Sequence, residues 1–231
     1  MNVEAFLISM NDPQLDRCLK SIENQTVPFS KFTHISGVSP MSDAWNKGWE
    51  MITEDWVLLL NGDEIIYPDG LETALNYMKR RMYDGIAAYC LGWYNPFLEI
   101  VDNQFSIVRS SVYKNIKAVD SIIFDRIIGR EVKRQGWRYK KRLSLICGTH
   151  FEDPTKYQVF TRFSRLPQKY SENDVNENKE RLVNLLDRTG NDLYGVALDA
   201  IEYGIQKRNY PGSYRVEFDG KTFEEFNASR G

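Results

Sequence analysis

The stretch WVLLLNGDE, residues 56 to 64, constrains this chain most. An apolar run from Trp56 to Leu60 stops abruptly at Asn61, Gly62, Asp63 and Glu64. A short apolar run bounded by turn residues fits a strand buried on both faces, the environment of a parallel sheet. Ligands of open α/β sheets bind just beyond the carboxyl ends of the strands. The run therefore delivers two carboxylates, Asp63 and Glu64, to the place where a ligand is expected. Paired acids there suit a hard divalent cation, Mg²⁺ or Mn²⁺, of the kind that bridges to substrate phosphates. The ordinary alternative is a solvated turn, since Asp and Gly are common turn residues.

The surrounding pattern agrees with a parallel sheet. Residues 3–9 read as a strand, and Asn11, Asp12 and Pro13 open a helix to about Asn24 with Leu15, Cys18, Leu19 and Ile22 on one face. A strand follows near 32–36. Ser42 or Asp43 caps a second helix ending near Thr53. After the strand at 56–60, Pro68 and Asp69 start a third helix running to about Met82, and 85–92 is another buried strand. This βαβαβαβ order implies an α/β fold with a mostly parallel central sheet flanked by helices. Beyond residue 92 the pattern changes. Residues 93–99 are expected as a loop and 104–109 as a strand. Residues 121–135 form an amphipathic helix, with Ile123, Ile127 and Ile128 inward and Gly136 as its stop. Residues 137–146 are strand-like, 152–170 a loop rich in Arg, Lys and Phe, and 171–206 carry two helical patterns. Asp219-Gly220 between alternating runs signals a terminal hairpin.

Composition excludes several classes. The chain has 231 residues, enough for one large domain with a small C-terminal addition. A net charge of −2 gives no whole-molecule attraction to nucleic acid or anionic lipid. No apolar stretch reaches the roughly 20 residues that span a bilayer. The N-terminus MNVEAFLISMND lacks the basic region of a signal peptide. Cys18, Cys90 and Cys147 are far apart, without metal spacing, as expected of reduced, buried thiols in a cytoplasmic protein (host cytoplasm if viral).

Several elements, taken in order, resemble family 2 glycosyltransferases of the GT-A (Rossmann-like) fold. LDRCLKSIENQTVP at 15–28 is similar to the helix after their first strand, and Asn46-Lys47-Gly48 to an Asn-x-Gly element in their next helix. Asn61-Gly62-Asp63 stands at their DxD metal motif, and Pro68-Asp69-Gly70-Leu71 fits the helix start that follows. Asp125 and Gly136 have the separation of a catalytic acid and the glycine closing its helix, and His150 stands where many relatives place a metal ligand. The resemblance covers roughly residues 3 to 165. It implies a GT-A domain at 1–165, with a nucleotide-sugar half at 1–92 and an acceptor and catalytic half at 93–165. Residues 166–231 are then a helical extension with the terminal hairpin, packed on the same domain. It further implies Asp125 as catalytic base, Asp63 and His150 as metal ligands, and donor contacts from Asn46, Asn61, Asp63, Arg162 and Arg165. The implied donor is a nucleoside-diphosphate sugar, a UDP-sugar first, held with Mn²⁺ or Mg²⁺. The reaction would invert the anomeric centre, and the acceptor would be a glycan or lipid-linked saccharide. Three positions depart from the pattern: the first motif Asp is Asn61, the second strand HISGVS ends without an acid, and Phe124 replaces a Glu before the catalytic Asp.

The same chemistry can be argued without the family. Sugar transfer from a nucleoside diphosphate needs the leaving diphosphate neutralised by a Lewis acid and the acceptor hydroxyl deprotonated by a carboxylate. Asp125 in a first helical turn is favoured in its ionised form by the helix dipole. Ordinary alternatives stand beside each residue. His150 could be a satisfied structural histidine, Asp125 a plain first-turn acid with Asp120 competing as base, Asn46 a surface amide, and Glu64 a further metal candidate. Trp45 and Trp49 fit the core better than a sugar platform. Residues 133–142, KRQGWRYKKR, hold six cations and no acid: a solvated helix end, or a landing place for an anionic acceptor. That cluster keeps a second acceptor in play, DNA carrying hydroxymethylated bases, as some viral enzymes modify. A nucleotidyltransferase would show a Gly-rich loop after the first strand, where this chain has SMNDPQ. A non-catalytic nucleotide-sugar-binding module and a homodimer complete the alternatives.

Overall fold

The computed structural model describes residues 1–10, 12–81, 84–121, 123–208 and 220–230. They fall into two compact units, Met1–Glu152 and Asp153–Gly231.

The first unit runs β1 (Val3–Ser9), α1 (Leu15–Glu23), β2 (Lys31–Ser36), α2 (Met41–Met51), β3 (Trp56–Asn61), β4 (Glu64–Ile66), α3 (Gly70–Lys79), β5 (Ile86–Asn95), β6 (Ile100–Arg109), α4 (Ser110–Tyr113), α5 (Phe124–Arg134) and β7 (Arg138–His150). One sheet holds the strands in the order β2-β1-β3-β6-β5-β7-β4. The pairings make β1, β2, β3, β5 and β7 run one way, with β6 and β4 against them. The sheet is therefore mostly parallel in strand direction, as the element order implied.

Burial explains the strands. Every residue of β1 is buried, and β3 is aligned beside it from Val3↔Trp56 to Ile8↔Asn61. Two clusters of apolar residues lie on the sheet. One joins Leu7, Leu58 and Phe105 to Cys18 and Ile22 of α1 and to Leu71 and Met78 of α3. The other joins Phe6, Val57 and Val108 to Trp45 and Trp49 of α2, Tyr113 of α4, and Ile128 and Val132 of α5. Trp45 and Trp49 are core, as expected. Gly48 has a physical reason: a Cβ there would fall inside the Phe6 ring, so only glycine lets α2 lie this close to β1. The start of α2 is a correction, because Pro40 occupies the cap position and no side chain caps it. β5 continues through Trp93 to Asn95 where a loop was expected, since Trp93 is wholly buried with its ring 4.9 Å from that of Phe105.

The second unit is helical: α6 (Lys156–Ser164), α7 (Leu166–Lys169), α8 (Glu172–Thr189), α9 (Asp192–Arg208) and α10 (Gly220–Arg230). Two expectations are corrected here. The segment 152–170 is largely helix rather than loop. Thr155 and Gln158 form a capping box at the start of α6, and Phe163 is buried one helical turn after the buried Val159 and Phe160. The second concerns the expected terminal hairpin. Residues 209–219 lie outside the described residues, and its second half, from Gly220 on, is α10. Phe223 and Phe226, three residues apart on a helix, both stack on Phe160, and Phe226 also meets Tyr203. Alternating residues of a strand could not have offered that shared face.

Candidate active site

The parallel strands place their carboxyl ends along one edge, and Asn61, Asp63, Glu64 and His150 meet there. β3 ends at Asn61, and Gly62 and Asp63 turn the chain into β4. β4 is a three-residue strand with no periodicity to announce it. It pairs with the end of β7 so that Glu64 stands opposite His150. This register brings together residues far apart in sequence. Asp63 Oδ2 lies 3.4 Å from His150 Nε2, with the His side chain 8% and the Asp side chain 19% exposed. Imidazole and carboxylate thus face each other at the rim, close enough to share one cation.

Glu64 stands behind that pair. It is 2% exposed and accepts a 2.8 Å hydrogen bond from the Asn61 backbone N–H. Burial pushes its carboxyl up to about 8; the Asp63 charge adds to the rise, while His150 and hydrogen bonds from Asn61 oppose it. The Asn61 side chain, at the first position of the motif, takes part in those bonds. Burial thus favours the protonated form of Glu64, which is a buried acid rather than an open ligand.

Asp12 was missed by sequence reasoning, which treated it only as part of a helix start. Its Oδ2 accepts from the Met10 N–H at 2.9 Å, and a Cβ on Gly62 would collide with its carboxylate. Gly62 is the residue that lets Asp12 approach the turn. Burial raises the Asp12 pKa, and the neighbouring Asp63 charge adds to it. The available signal was the acid two residues after an exposed Met at the end of the first strand. Cys18 lies beneath, its Sγ 3.5 Å from the Asn61 carbonyl, and burial among Glu64, Asp63 and Asp12 pushes its thiol to about 12. It is inert as a nucleophile.

The residues after His150 tie it to α1. Gln14 donates to the Glu152 carbonyl at 2.9 Å, and Arg17 donates to the Glu152 carboxylate at 2.6 Å. Between them Phe151 is held at φ 61°, a conformation rare for a bulky residue, with its ring 5.6 Å from Phe97. The end of β7 is thus fixed by backbone and side-chain contacts on both sides of His150.

Among the described residues, no group of three or more His, Cys, Asp or Glu converges as a metal cage. Asp63 and His150 could supply two protein donors, a set that would fit a cation whose remaining ligands are diphosphate oxygens and water.

Asp125 is exposed in the first turn of α5. α5 leads into β7, whose first residue pairs with the first residue of β5. Asn46 is partly buried, and its amide is engaged at both ends. Its Nδ2 donates to the Ala118 carbonyl at 3.0 Å, and its Oδ1 accepts from the Ala118 N–H at 2.9 Å. Arg162 lies within α6 and Arg165 directly after it, both in the second unit.

Residues 31–142 match the sequence profile of Glycosyl transferase family 2. No curated protein matches the chain by sequence. Among solved structures, the chain is similar to S. aureus TarS 1-349 in complex with UDP-GlcNAc, with a TM-score of 0.56 and 10% identity over 99% of this chain and 79% of that one. It is similar to the mannosyltransferase PcManGT from Pyrobaculum calidifontis in complex with GDP-Man and Mn²⁺, with a TM-score of 0.53 and 11% identity over 99% of this chain and 80% of that one. Against the longer S. aureus TarS structure the TM-score is 0.51 at 12% identity, and this chain spans 44% of that length. At such identity the structural likenesses show the fold, which is GT-A.

Proposed function

We propose that this family 2 glycosyltransferase-like chain of GT-A fold transfers a sugar from a nucleoside-diphosphate sugar, a UDP-sugar first, to an acceptor hydroxyl, with inversion and with a divalent metal. The observation that carries the reading is the meeting of Asp63 and His150 at the carboxyl edge of the sheet, 3.4 Å apart. The relatives named above were solved with UDP-GlcNAc, and with GDP-Man and Mn²⁺.

Asp63 and His150 would hold Mn²⁺ or Mg²⁺, which when bound neutralises the charge developing on the leaving diphosphate. Asp125 accepts the proton of the acceptor hydroxyl. The hydroxyl oxygen forms a bond to the anomeric carbon as the bond to the diphosphate oxygen breaks on the opposite face, which inverts the centre. Asn61 orients the buried Glu64 carboxyl behind the metal ligands. Arg162 and Arg165 are assigned to the donor diphosphate. The reaction is placed in the cytoplasm.

The acceptor we favour is a glycan or lipid-linked saccharide. One feature supports an anionic one. A cleft of about 610 Å³ runs beside α5, lined by Lys117, Arg130 and Arg134 with Asn115, Ile116 and Ile127. Its one acid, Glu131, is already held by Arg134 at 2.7 Å. With the KKR run at 140–142, this favours phosphate- or carboxylate-bearing acceptors, hydroxymethylated DNA included.

A thermal-shift panel of nucleotide sugars with and without Mn²⁺ tests the donor. A UDP-sugar with Mn²⁺ should raise Tm selectively, by mass action. No shift with any nucleotide sugar would defeat the proposal. A shift without turnover, in donor hydrolysis assays of the parent and of Asp125→Asn, would identify a binding module. Oligonucleotides with hydroxymethylated bases, compared at two salt concentrations, address the DNA acceptor, whose binding should weaken steeply with salt.

A further inference from the structure

The loop that leads into α5 is held by α2 at two points. At its start, Asn46 makes two hydrogen bonds to the backbone of one residue, Ala118, through both ends of its amide. At its end, Trp45 meets Phe124 edge to face, with ring centroids 5.9 Å apart. Phe124 is the residue immediately before Asp125. Between the two points the chain turns into the helix by local bonds: the Ile123 N–H donates to Ser121 Oγ, and the Phe124 N–H to the Ser121 carbonyl. Ala118 is 4% exposed and belongs to the same apolar cluster as Trp45. The anchor itself is rigid, because Gly48 lets α2 sit directly on the Phe6 ring and Trp45 and Trp49 close around it.

We infer that Asn46 is a positioning residue for the reaction: by clamping Ala118 it sets where α5 begins, and so where the Asp125 carboxylate stands. This rests on the reading of Asp125 as the base. It reassigns Asn46 from donor contact to acceptor-side geometry. The amide is suited to the task because one side chain satisfies both a backbone N–H and a backbone C=O, which otherwise would be half-buried without partners. Aspartate could accept from the Ala118 N–H but could not donate to its carbonyl. Alanine could do neither. Displacing a catalytic group by about 1 Å lowers rate by about a hundredfold while leaving ligand contacts elsewhere intact.

The test compares the parent, Asn46→Ala, Asn46→Asp and Asp125→Asn as full chains. Hydrogen exchange at the Ala118 amide reports the clamp without any activity. It should be slow in the parent, fast in Asn46→Ala and intermediate in Asn46→Asp. Initial rates with the UDP-sugar found by thermal shift should show kcat down by about tenfold or more in Asn46→Ala, with donor KM within about twofold of the parent, and Asn46→Asp between them. A raised donor KM with unchanged kcat would return Asn46 to the donor site and overturn the inference. Unchanged exchange at Ala118 in Asn46→Ala would overturn it as well. If Asp125→Asn keeps the parental kcat, the reading of the base fails, and the positioning role with it. The exchange data would then still show whether the clamp exists, so the two failures are distinguishable. Asn46→Asp retains one of the two bonds and covers the case in which Asn46→Ala does not fold.

Discussion

Two buried glutamates stand at opposite ends of the same sheet and behave in opposite ways. Glu4, at the start of β1, is wholly buried, and each oxygen is occupied. Thr33 donates to one at 2.5 Å, the backbone N–H groups of Thr53 and Glu54 donate to the other, and Lys31 lies 3.5 Å away. Burial alone would raise its pKa, but these donors together hold it below the ordinary glutamate value. Glu64, at the carboxyl edge, is 2% exposed, and burial, with the Asp63 charge adding to it, pushes it to about 8. One end of the sheet is built to finish its hydrogen bonds. The other gathers the carboxyls of Asp12, Asp63 and Glu64 near one another, beside His150. Neighbouring carboxyls raise one another's pKa, and groups perturbed in this way cluster at functional sites.

The largest contrast between the ends should appear in catalysis. Asp125→Asn should lower kcat by about 10²- to 10⁴-fold, the usual share of a general base, with Tm nearly unchanged because the side chain is exposed. Paired rate and melting measurements check this. A comparable rate in the variant would place the base elsewhere, with Asp120 the first residue to try.

Glu4→Gln should do the reverse. It removes an ionised acceptor from two backbone N–H groups and a hydroxyl, and should destabilise the fold by about 2–4 kcal/mol in denaturant titration. The folded fraction should turn over normally. A loss below about 0.5 kcal/mol would mean that the donors around Glu4 find water, and that the two ends differ less than their geometry implies.

The pH dependence of stability should have opposite signs at the two sites. Glu4 has a lowered folded pKa, so its contribution is present above the unfolded value near 4.5 and is lost as pH falls through the folded value. Glu64 has a raised folded pKa of about 8. The native state keeps a proton that the unfolded chain has lost, so this stability is full below about 4.5 and declines as pH rises to about 8, at up to about 1.4 kcal/mol per pH unit. In metal-free buffer with chelator, Glu64→Gln should flatten that decline. An identical slope in parent and variant would remove Glu64 from the comparison.

The sequence made one of these ends easier to see than the other. Strong local signals announced β1, β3 and the helices between them, because apolar runs and helical spacing are properties of neighbours in the chain. Asp63 and His150 were legible through the residue patterns around them. β4 was not, since three residues carry no period, yet it is β4 that sets His150 beside Asp63. Asp12 was hidden for the same reason: its nearness to Gly62 depends on two strand ends being adjacent, which no local pattern states. α6 and α10 were misread as loop and hairpin. The first is an Arg-, Lys- and Phe-rich segment without a clear period, and the second follows an Asp219-Gly220 turn signal; Phe160 of α6 is the shared partner of Phe223 and Phe226 of α10, a long-range contact that neither local pattern states. The pairing of Asn46 with Ala118 was not legible, because that partner offers only backbone atoms, which a sequence cannot mark as available.

The smallest expected effect concerns how the catalytic edge is held together. Arg17 and Glu152 pair at 2.6 Å, but their side chains are 49% and 30% exposed. Solvent screens such a pair, and exposed ion pairs contribute about 0.2–1 kcal/mol. Arg17→Ala should therefore lower stability by no more than about 1 kcal/mol, because Gln14 still holds the Glu152 carbonyl. Its effect should appear instead as weaker Mn²⁺-dependent donor binding, since the clasp fixes the chain just after His150. Denaturant titration with a parallel binding measurement separates the two readouts. A stability loss above about 2 kcal/mol without any change in binding would make the clasp part of the folding framework, and the catalytic edge would then be anchored as firmly as the Glu4 end.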